Sequence, residues 1–506
     1  MAKKINGGII VSYVYVVLNA TIGMVFVPYL INKLGTENYG IYEMIMAIAS
    51  NISILNFGLG DTTVKYIAKY RGENDIENQG KVLGITVFFL SVLSIVAFAI
   101  CGLIYINFDS IYSKSLDNEQ LILAKRLFVI AAANVVISLV GGTYANVITA
   151  YEKFVFSRGI EIIKLLLRVL LVVFLFHFTS NVVLLLLIDL ILSCAVILIN
   201  FIYSRFILNI KIRIDLGDKE LVREILTFSG YTLFFIIARE VLFQTDKTII
   251  GIEMSAIAVT VYSVGNKISS MFNQFGYILS NMYLPRAMMI KECTNDIKQK
   301  NLLYFQYMVE MGRKILFIIM VIFGGYILIG ADFINLWVGE GYYTSFVSSI
   351  IMIIAFFLPI LLDSGMAILK AENEQRNIAY AWLLSALANV ILTWIAVPSF
   401  GILGASIMTL VTSYGINCVV LCIELKRKIE FDFSSFLRDL FHGMLPIVLI
   451  IIVFKVIKIF VYIPSNNWLS LIIQGSIFTI IYLACSYVFY FSDEQKKKII
   501  SHIIKK

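Results

Sequence analysis

The sequence has 506 residues, 60% of them hydrophobic and 15% charged, with a mean hydropathy of +0.89 and a formal net charge of +8. This composition lies outside the range of soluble globular domains and inside that of polytopic membrane proteins, so the length does not translate into soluble domains and the positive charge does not imply a nucleic-acid partner. Six scattered cysteines without a CxxC pair, and three histidines that form no cluster, read as packing residues, so no metal, cofactor or catalytic set is expected.

Taken in order, Lys3 and Lys4 precede a long apolar run with no small-residue cleavage site, which predicts an uncleaved first helix. Runs of about 20 apolar residues are long enough to cross a bilayer core. They predict fourteen helices, near residues 7–31, 40–60, 82–104, 125–148, 159–177, 181–203, 228–250, 256–284, 312–331, 345–369, 378–397, 402–424, 440–462 and 468–491. The fifth is interrupted by Glu161, Lys164 and Arg168, which share one face at i, i+3 and i+7. They form either a self-paired stripe or the inner end of a polar path. Between the sixth and seventh helices, RFILNIKIRIDLGDKELVREIL alternates apolar and basic residues, which predicts an amphipathic linker on the inner leaflet over 204–227.

The seventh and eighth helices carry Arg239, Glu240, Asp246, Lys247 and Lys267 in otherwise apolar sequence. A cation at the centre of a bilayer helix costs about 2.5–3.5 kcal/mol on the most lenient scale, so such charges face protein or a wet cavity. Two readings follow: a polar path through the membrane, or ion pairs between helices that hold the bundle together. Glu240, Gln244 and Lys247 share a face, and Arg239 and Asp246 a neighbouring one. Asp246 and Lys247 fall near the outer end, where snorkelling is an alternative. A rise of about 1.5 Å per residue places Arg168, Arg239 and Lys267 near the midplane. Asp363 follows Pro359 by four residues, a carboxylate beside an expected kink and hence a candidate for gating or ion coupling. Asp61 is a weaker candidate that reads first as a helix cap, and Asp189 in the sixth helix has no companion.

Of the 41 Lys and Arg residues, 30 fall on one set of alternate loops and the two tails, four on the opposite loops and seven inside spans. This bias predicts cytoplasmic termini and an even number of helices. No loop is long enough for a soluble catalytic module, so neither an enzyme nor a membrane polymerase is expected. Displacing the chain on itself by about 220 residues aligns Tyr42 with Tyr262, Ile48 with Ile268 and Ser50 with Ser270, and a displacement of 221 aligns Ile148, Ala150 and Glu152 with Leu369, Ala371 and Asn373. The expected architecture is an all-α polytopic membrane protein: a six-helix lobe over 1–203, the linker, a second six-helix lobe over 228–424, and two further helices with a basic tail over 425–506.

Several motifs add a resemblance. LGTENYGIY (34–42) and FGLGDTTVKYIAKYRGEND (57–75) resemble the amino-terminal signature of the polysaccharide-export or O-antigen flippase (Wzx-type) family, within the multidrug/oligosaccharidyl-lipid/polysaccharide exporter superfamily. DKTIIG (246–251), VYSVGNKIS (261–269) and AENEQRN (371–377) resemble its second-lobe counterparts, so the likeness covers roughly residues 1–425. It implies a V-shaped transporter of the cell membrane that alternates its access. The implied cargo is a polyprenyl-diphosphate-linked oligosaccharide, turned from the cytoplasmic to the outer leaflet for surface polysaccharide such as lipopolysaccharide or capsule. Membrane lipids, a polysaccharide polymerase and chain-length machinery are the implied partners, and the last two helices fit longer members in which they meet the lipid tail. A diphosphate needs cations to offset its lost hydration, so Arg168, Arg239, Lys267 and Lys164 are expected to form a relay. Glu240, Gln244, Asp246, Lys247, Asp363, Asp61 and Glu161 are then cavity, gate or coupling residues. A cation-coupled multidrug or metabolite exporter and a lipid II-type flippase are the alternatives; the basic midplane set disfavours the former.

Overall fold

The computed structural model describes residues 2–56, 58–277, 280–293, 296–374, 376–460, 467–491 and 496, and among them every regular element is helical. In chain order these are α1 (Ala2–Leu34), α2 (Thr36–Ser53), α3 (Leu59–Gly72), α4 (Ile76–Ile106), α5 (Phe108–Tyr112), α6 (Asn118–Ala150), α7 (Phe154–Phe178), α8 (Val182–Ile202), α9 (Lys219–Glu253) and α10 (Ala256–Gly276). There follow α11 (Ser280–Cys293), α12 (Ile297–Val338), α13 (Tyr343–Leu361), α14 (Asp363–Ala371), α15 (Arg376–Thr412), α16 (Val419–Ile429), α17 (Phe433–Phe441), α18 (Leu445–Phe460) and α19 (Trp468–Cys485). Local sequence sets many of the starts. Asp75, Asp117, Asn181, Asp218, Asp296, Asp432 and Asn467 each accept a first-turn N–H as N-caps, and Asp117 forms a capping box with Gln120.

Among the described residues, nine helical stretches are long and apolar enough to cross a membrane; α7 and α9, which carry interior charges, are not among them. The span expected at 40–60 falls within the stretch Thr36–Gly72, in which α2 ends at Ser53 and Gly58, in the left-handed region at φ 67, precedes α3. Of the span expected at 256–284, α10 covers the part up to Gly276, and residues 278 and 279 lie outside the described residues. The span expected at 345–369 falls within one membrane-length stretch, Tyr343–Ala371, with its expected kink as a break between α13 and α14 just after Pro359. Proline has no N–H to offer the carbonyl four residues back. Ser413 Oγ donates to that carbonyl, Ala355 O, at 2.9 Å, and the Tyr414 hydroxyl donates to the adjacent Ile354 O at 2.6 Å. Within α15, Gly401 at φ 58 separates two helical segments, near the predicted gap between the eleventh and twelfth spans.

The repeat is visible in the helix starts. α4 and α12 begin 221 residues apart, and α6 and α14 end 221 residues apart at Ala150 and Ala371. At both helix ends a cation from the preceding short helix holds the last carbonyl: Arg71 Nη1 donates to Ala150 O at 3.0 Å and Lys291 Nζ to Ala371 O at 2.8 Å. The chain then leaves each helix through a left-handed residue, Glu152 at φ 56 and Asn373 at φ 61.

The chain divides into two compact units, one of residues 1–263 with 386–401 and the other of residues 264–385 with 402–506. In the first, α6 packs against α2, α3, α4 and α8, α1 against α7, and α9 against α2 and α3. A core of Leu59, Ile67, Val82, Ile85 and Val147 takes in Ile210 from the connecting segment and Ile225 from α9. That connecting segment, 208–218, contains no helix. It runs as a strap along α4: Arg213 N donates to Gly80 O at 3.0 Å, Arg213 lies 2.8 Å from Glu77, and Lys81 lies 3.3 Å from Asp215. The Lys81 hydrogen bond holds the Asp215 carboxyl below its ordinary range. Two glycines make the approach possible, since a Cβ on Gly80 would stand 2.5 Å from Lys211 O and one on Gly84 2.0 Å from Arg213 O. Gly84→Ala is therefore expected to lift the strap, raising the rate of limited tryptic cleavage at Lys211 and Arg213 by about tenfold or more. Unchanged cleavage would show that the strap is not seated there.

In the second unit, α12 is the spine. It packs against α11, α13, α17, α18 and α19. Arg313 fastens the carboxyl-terminal helices to it, donating to Asp439 O at 3.0 Å, His442 O at 3.2 Å and Tyr490 O at 2.5 Å, while the Tyr490 hydroxyl donates back to Arg313 O at 2.8 Å.

Candidate functional site

The polar side chains inside the first unit sit where α7 meets α8 and where α2 meets α9. Arg168 of α7 makes a two-pronged contact with Asp189 of α8, Nε to Oδ1 at 2.5 Å and Nη2 to Oδ2 at 3.1 Å. Its Nη2 also donates to the Tyr42 hydroxyl of α2 at 3.2 Å, and the guanidinium lies 5.4 Å from the Phe26 ring centre of α1. One turn earlier, Lys164 Nζ donates to Ser193 Oγ at 3.3 Å. Two residues spaced i, i+4 on α7 thus meet two spaced i, i+4 on α8. The fork of Arg168 is occupied, with side-chain exposures of 21% for Arg168 and 15% for Asp189. In this conformation Arg168 makes an ion pair between helices with Asp189, where its own helix had suggested a self-paired stripe or the inner end of a polar path. Glu161, half-buried, lies within electrostatic reach of Tyr15 on α1.

Between α2 and α9, Lys247 Nζ lies 2.7 Å from Glu43 Oε2, and the Tyr39 hydroxyl donates to Glu43 Oε1 at 3.0 Å. Ser50 Oγ donates to Glu240 Oε2 at 3.0 Å. The predicted face of Glu240, Gln244 and Lys247 therefore points its two charged members at α2, with Gln244 half-buried between them. Snorkelling does not describe Lys247, whose ammonium is held by a carboxylate inside the unit. Nor does it describe Asp246, which has 0% exposure and accepts from the Tyr262 hydroxyl at 2.7 Å and from Thr393 Oγ1 at 3.2 Å. A carboxylate at that depth persists because hydrogen bonds replace its hydration.

Asp61 is exposed in the first turn of α3, where the helix dipole favours a carboxylate. Arg239 belongs to α9, but its side chain lies outside the described residues. Lys267, half-buried on α10, and Asp363, the first residue of α14, belong to the second unit. Tyr277, Tyr283 and Tyr307 lie within electrostatic reach of Asp363. Among the described residues no group of three or more His, Cys, Asp or Glu side chains could hold a metal ion, and the six cysteines are free thiols.

Sequence reasoning missed Glu43. A lone acid in the apolar second span was the available signal. The hydroxyl partners Tyr262 and Thr393 gave none, because hydroxyls are common in membrane helices.

The all-helical fold agrees with what comparisons find. No curated protein matches the chain. Among solved structures it is similar to the lipid II flippase MurJ in an inward closed conformation, with TM-score 0.70 at 16% identity over 96% of this chain and 98% of that one. It is also similar to an inward-facing multidrug resistance MATE family transporter of the MOP superfamily, with TM-score 0.66 at 14% identity over 82% of this chain and 94% of that one. A MOP superfamily transporter from Pyrococcus furiosus gives TM-score 0.51 at 15% identity over 85% and 95%. The model of the polysaccharide biosynthesis protein family matches residues 6–290. The chain therefore belongs to the polysaccharide biosynthesis protein family, as a multi-pass membrane protein with the fold of these transporters.

Proposed function

We propose that the protein is a flippase that moves a polyprenyl-diphosphate-linked oligosaccharide from the cytoplasmic to the outer leaflet of the cell membrane by alternating access. The observation that carries this reading is a groove beside the carboxyl-terminal helices. A cavity of about 360 Å³ opens between α12, α18 and α19, lined by apolar residues such as Leu328, Ile329, Phe454, Ile473 and Phe478. An apolar surface of this kind suits a long isoprenoid tail. Similarity over 96% of the chain to a lipid II flippase, against 82% for the MATE transporter, supports the same choice. The diphosphate would be met by cations, with Arg168, Arg239, Lys267 and Lys164 as the candidates. Six-helix lobes over 1–203 and 228–424, cytoplasmic termini and collaboration with a polymerase and chain-length machinery belong to the same reading.

The test is reconstitution of the purified chain in liposomes with a fluorescent polyprenyl-diphosphate oligosaccharide, scoring protection from an external quencher over time. Wild-type protein is expected to equilibrate the probe between leaflets, and Arg239→Ala and Lys267→Ala each to slow it by at least about tenfold, the loss of one charge-assisted contact. Equal rates with and without protein would reject the reading, and normal rates in both variants would remove these two cations from it.

A further inference from the structure

The turn that ends α14 differs from its repeat partner in a way the turn itself does not require. Both turns share the cation on the last carbonyl and the left-handed exit residue. After the first, the chain enters α7 through Phe154 and Val155; after the second, it enters α15 through Arg376 and Asn377. A cavity of about 330 Å³ opens at this second position, lined by Asn373, Glu374, Arg376, Asn377 and Arg427. Where the first repeat has the carboxylate of Glu152 at 3.7 Å from Arg71, the second has the neutral amide of Asn373.

Charge is distributed unevenly around the cavity. Lysines match the nearby carboxylates: Lys428 Nζ lies 3.1 Å from Glu374 and 3.9 Å from Glu372, and Lys300 Nζ lies 3.5 Å from Glu372. Asn377 Nδ2 donates to Glu424 at 2.9 Å. Among the described residues neither Arg376 nor Arg427 forms an ion pair, and both are exposed. Two guanidinium forks therefore border one cavity whose acids are already neutralised. A planar fork matches two oxygens of a phosphate at once.

We infer that this cavity binds a phosphate-bearing anion on the side that the charge bias assigns to the cytoplasm, with Arg376 and Arg427 as its two forks. The phosphate comes either from an anionic lipid headgroup of the inner leaflet or from a soluble phosphate. The inference does not depend on the transport reading.

Its test uses the purified full-length chain. Calorimetric titration with inorganic phosphate at constant ionic strength is paired with native mass spectrometry of lipid retained from nanodiscs of phosphatidylglycerol and phosphatidylcholine. The expected result is saturable binding of one probe, or of both in competition, that weakens by at least about tenfold in Arg376→Gln/Arg427→Gln. Arg376→Lys/Arg427→Lys keeps the charge but loses the forks, and is expected to weaken binding less. It also provides the reading should the first variant fail to fold. Lys298→Gln, an exposed cation at the start of α12, is expected to change nothing. Preferential retention of phosphatidylglycerol that the Gln pair abolishes identifies the lipid; phosphate binding without lipid preference identifies the soluble ligand. Binding of both probes that is the same in wild type and in the folded double variants, or absent in wild type, would overturn the assignment.

Discussion

Arg168→Met is expected to destabilise the protein by about 3–5 kcal/mol, and Arg168→Met/Asp189→Leu to recover most of that loss without recovering transport. The first half follows from leaving a partly buried carboxylate with its countercharge gone, which costs more than the pair itself contributes. The 21% and 15% exposures of the two side chains leave little solvent to compensate. The second half follows because an apolar pair of similar volume removes the uncompensated charge. Transport is expected to stay lost because the guanidinium also reaches Tyr42 on α2 and packs over Phe26 on α1, joining four helices at one point. A moving bundle needs such a junction to have two arrangements, and an apolar pair offers no polar partner to exchange. Thermal unfolding in detergent reads the first quantity and the liposome assay the second. Full recovery of both in the double variant would make the pair purely structural, and an unchanged melting temperature in Arg168→Met would show that the pair does not form.

Periodicity and charge order made the helical class and the internal repeat legible, because a span needs only length and hydropathy and the bias of cations needs only counting. Breaks inside spans were harder. Pro359 marked its kink, but the break between α2 and α3 depends on the left-handed conformation of Gly58, one glycine among 31. The alternation of Lys211, Ile212, Arg213 and Ile214 is visible in sequence and predicts an amphipathic linker on the inner leaflet. What turned it into a strap, bare backbone at Gly80 and Gly84 on α4, lies more than a hundred residues away. At the site, charged residues in apolar helices were found readily, yet their partners were not. Glu43 and Lys247, or Arg168 and Asp189, are brought together by packing between helices, and helical spacing carries information about faces of one helix only. For that reason a set of cations read as free for an anion includes one, Arg168, that packing has matched with an acid.

The same limit bears on Asp246, for which Asp246→Asn is expected to reduce gradient-driven flipping by at least about tenfold while leaving exchange between leaflets in the absence of a gradient. The side chain is wholly buried, and the hydroxyls of Tyr262 and Thr393 lie at its two oxygens. Asparagine has the same shape and keeps one acceptor, so the fold is expected to survive. What it lacks is a charge that can appear and disappear. A carboxylate inside a membrane bundle can take up a proton or a metal cation from one side and release it to the other, and its hydrogen-bond partners stabilise the charged form in between. Thr393→Val separates coupling from packing, since it removes one hydroxyl at a cost of about 1 kcal/mol without touching the carboxylate. It is expected to shift the ion dependence of flipping and retain coupling, whereas Asp246→Asn abolishes that dependence. Gradient-driven flipping at the wild-type rate in folded Asp246→Asn protein would remove this carboxylate from the mechanism and leave it a packing element between α9, α10 and α15.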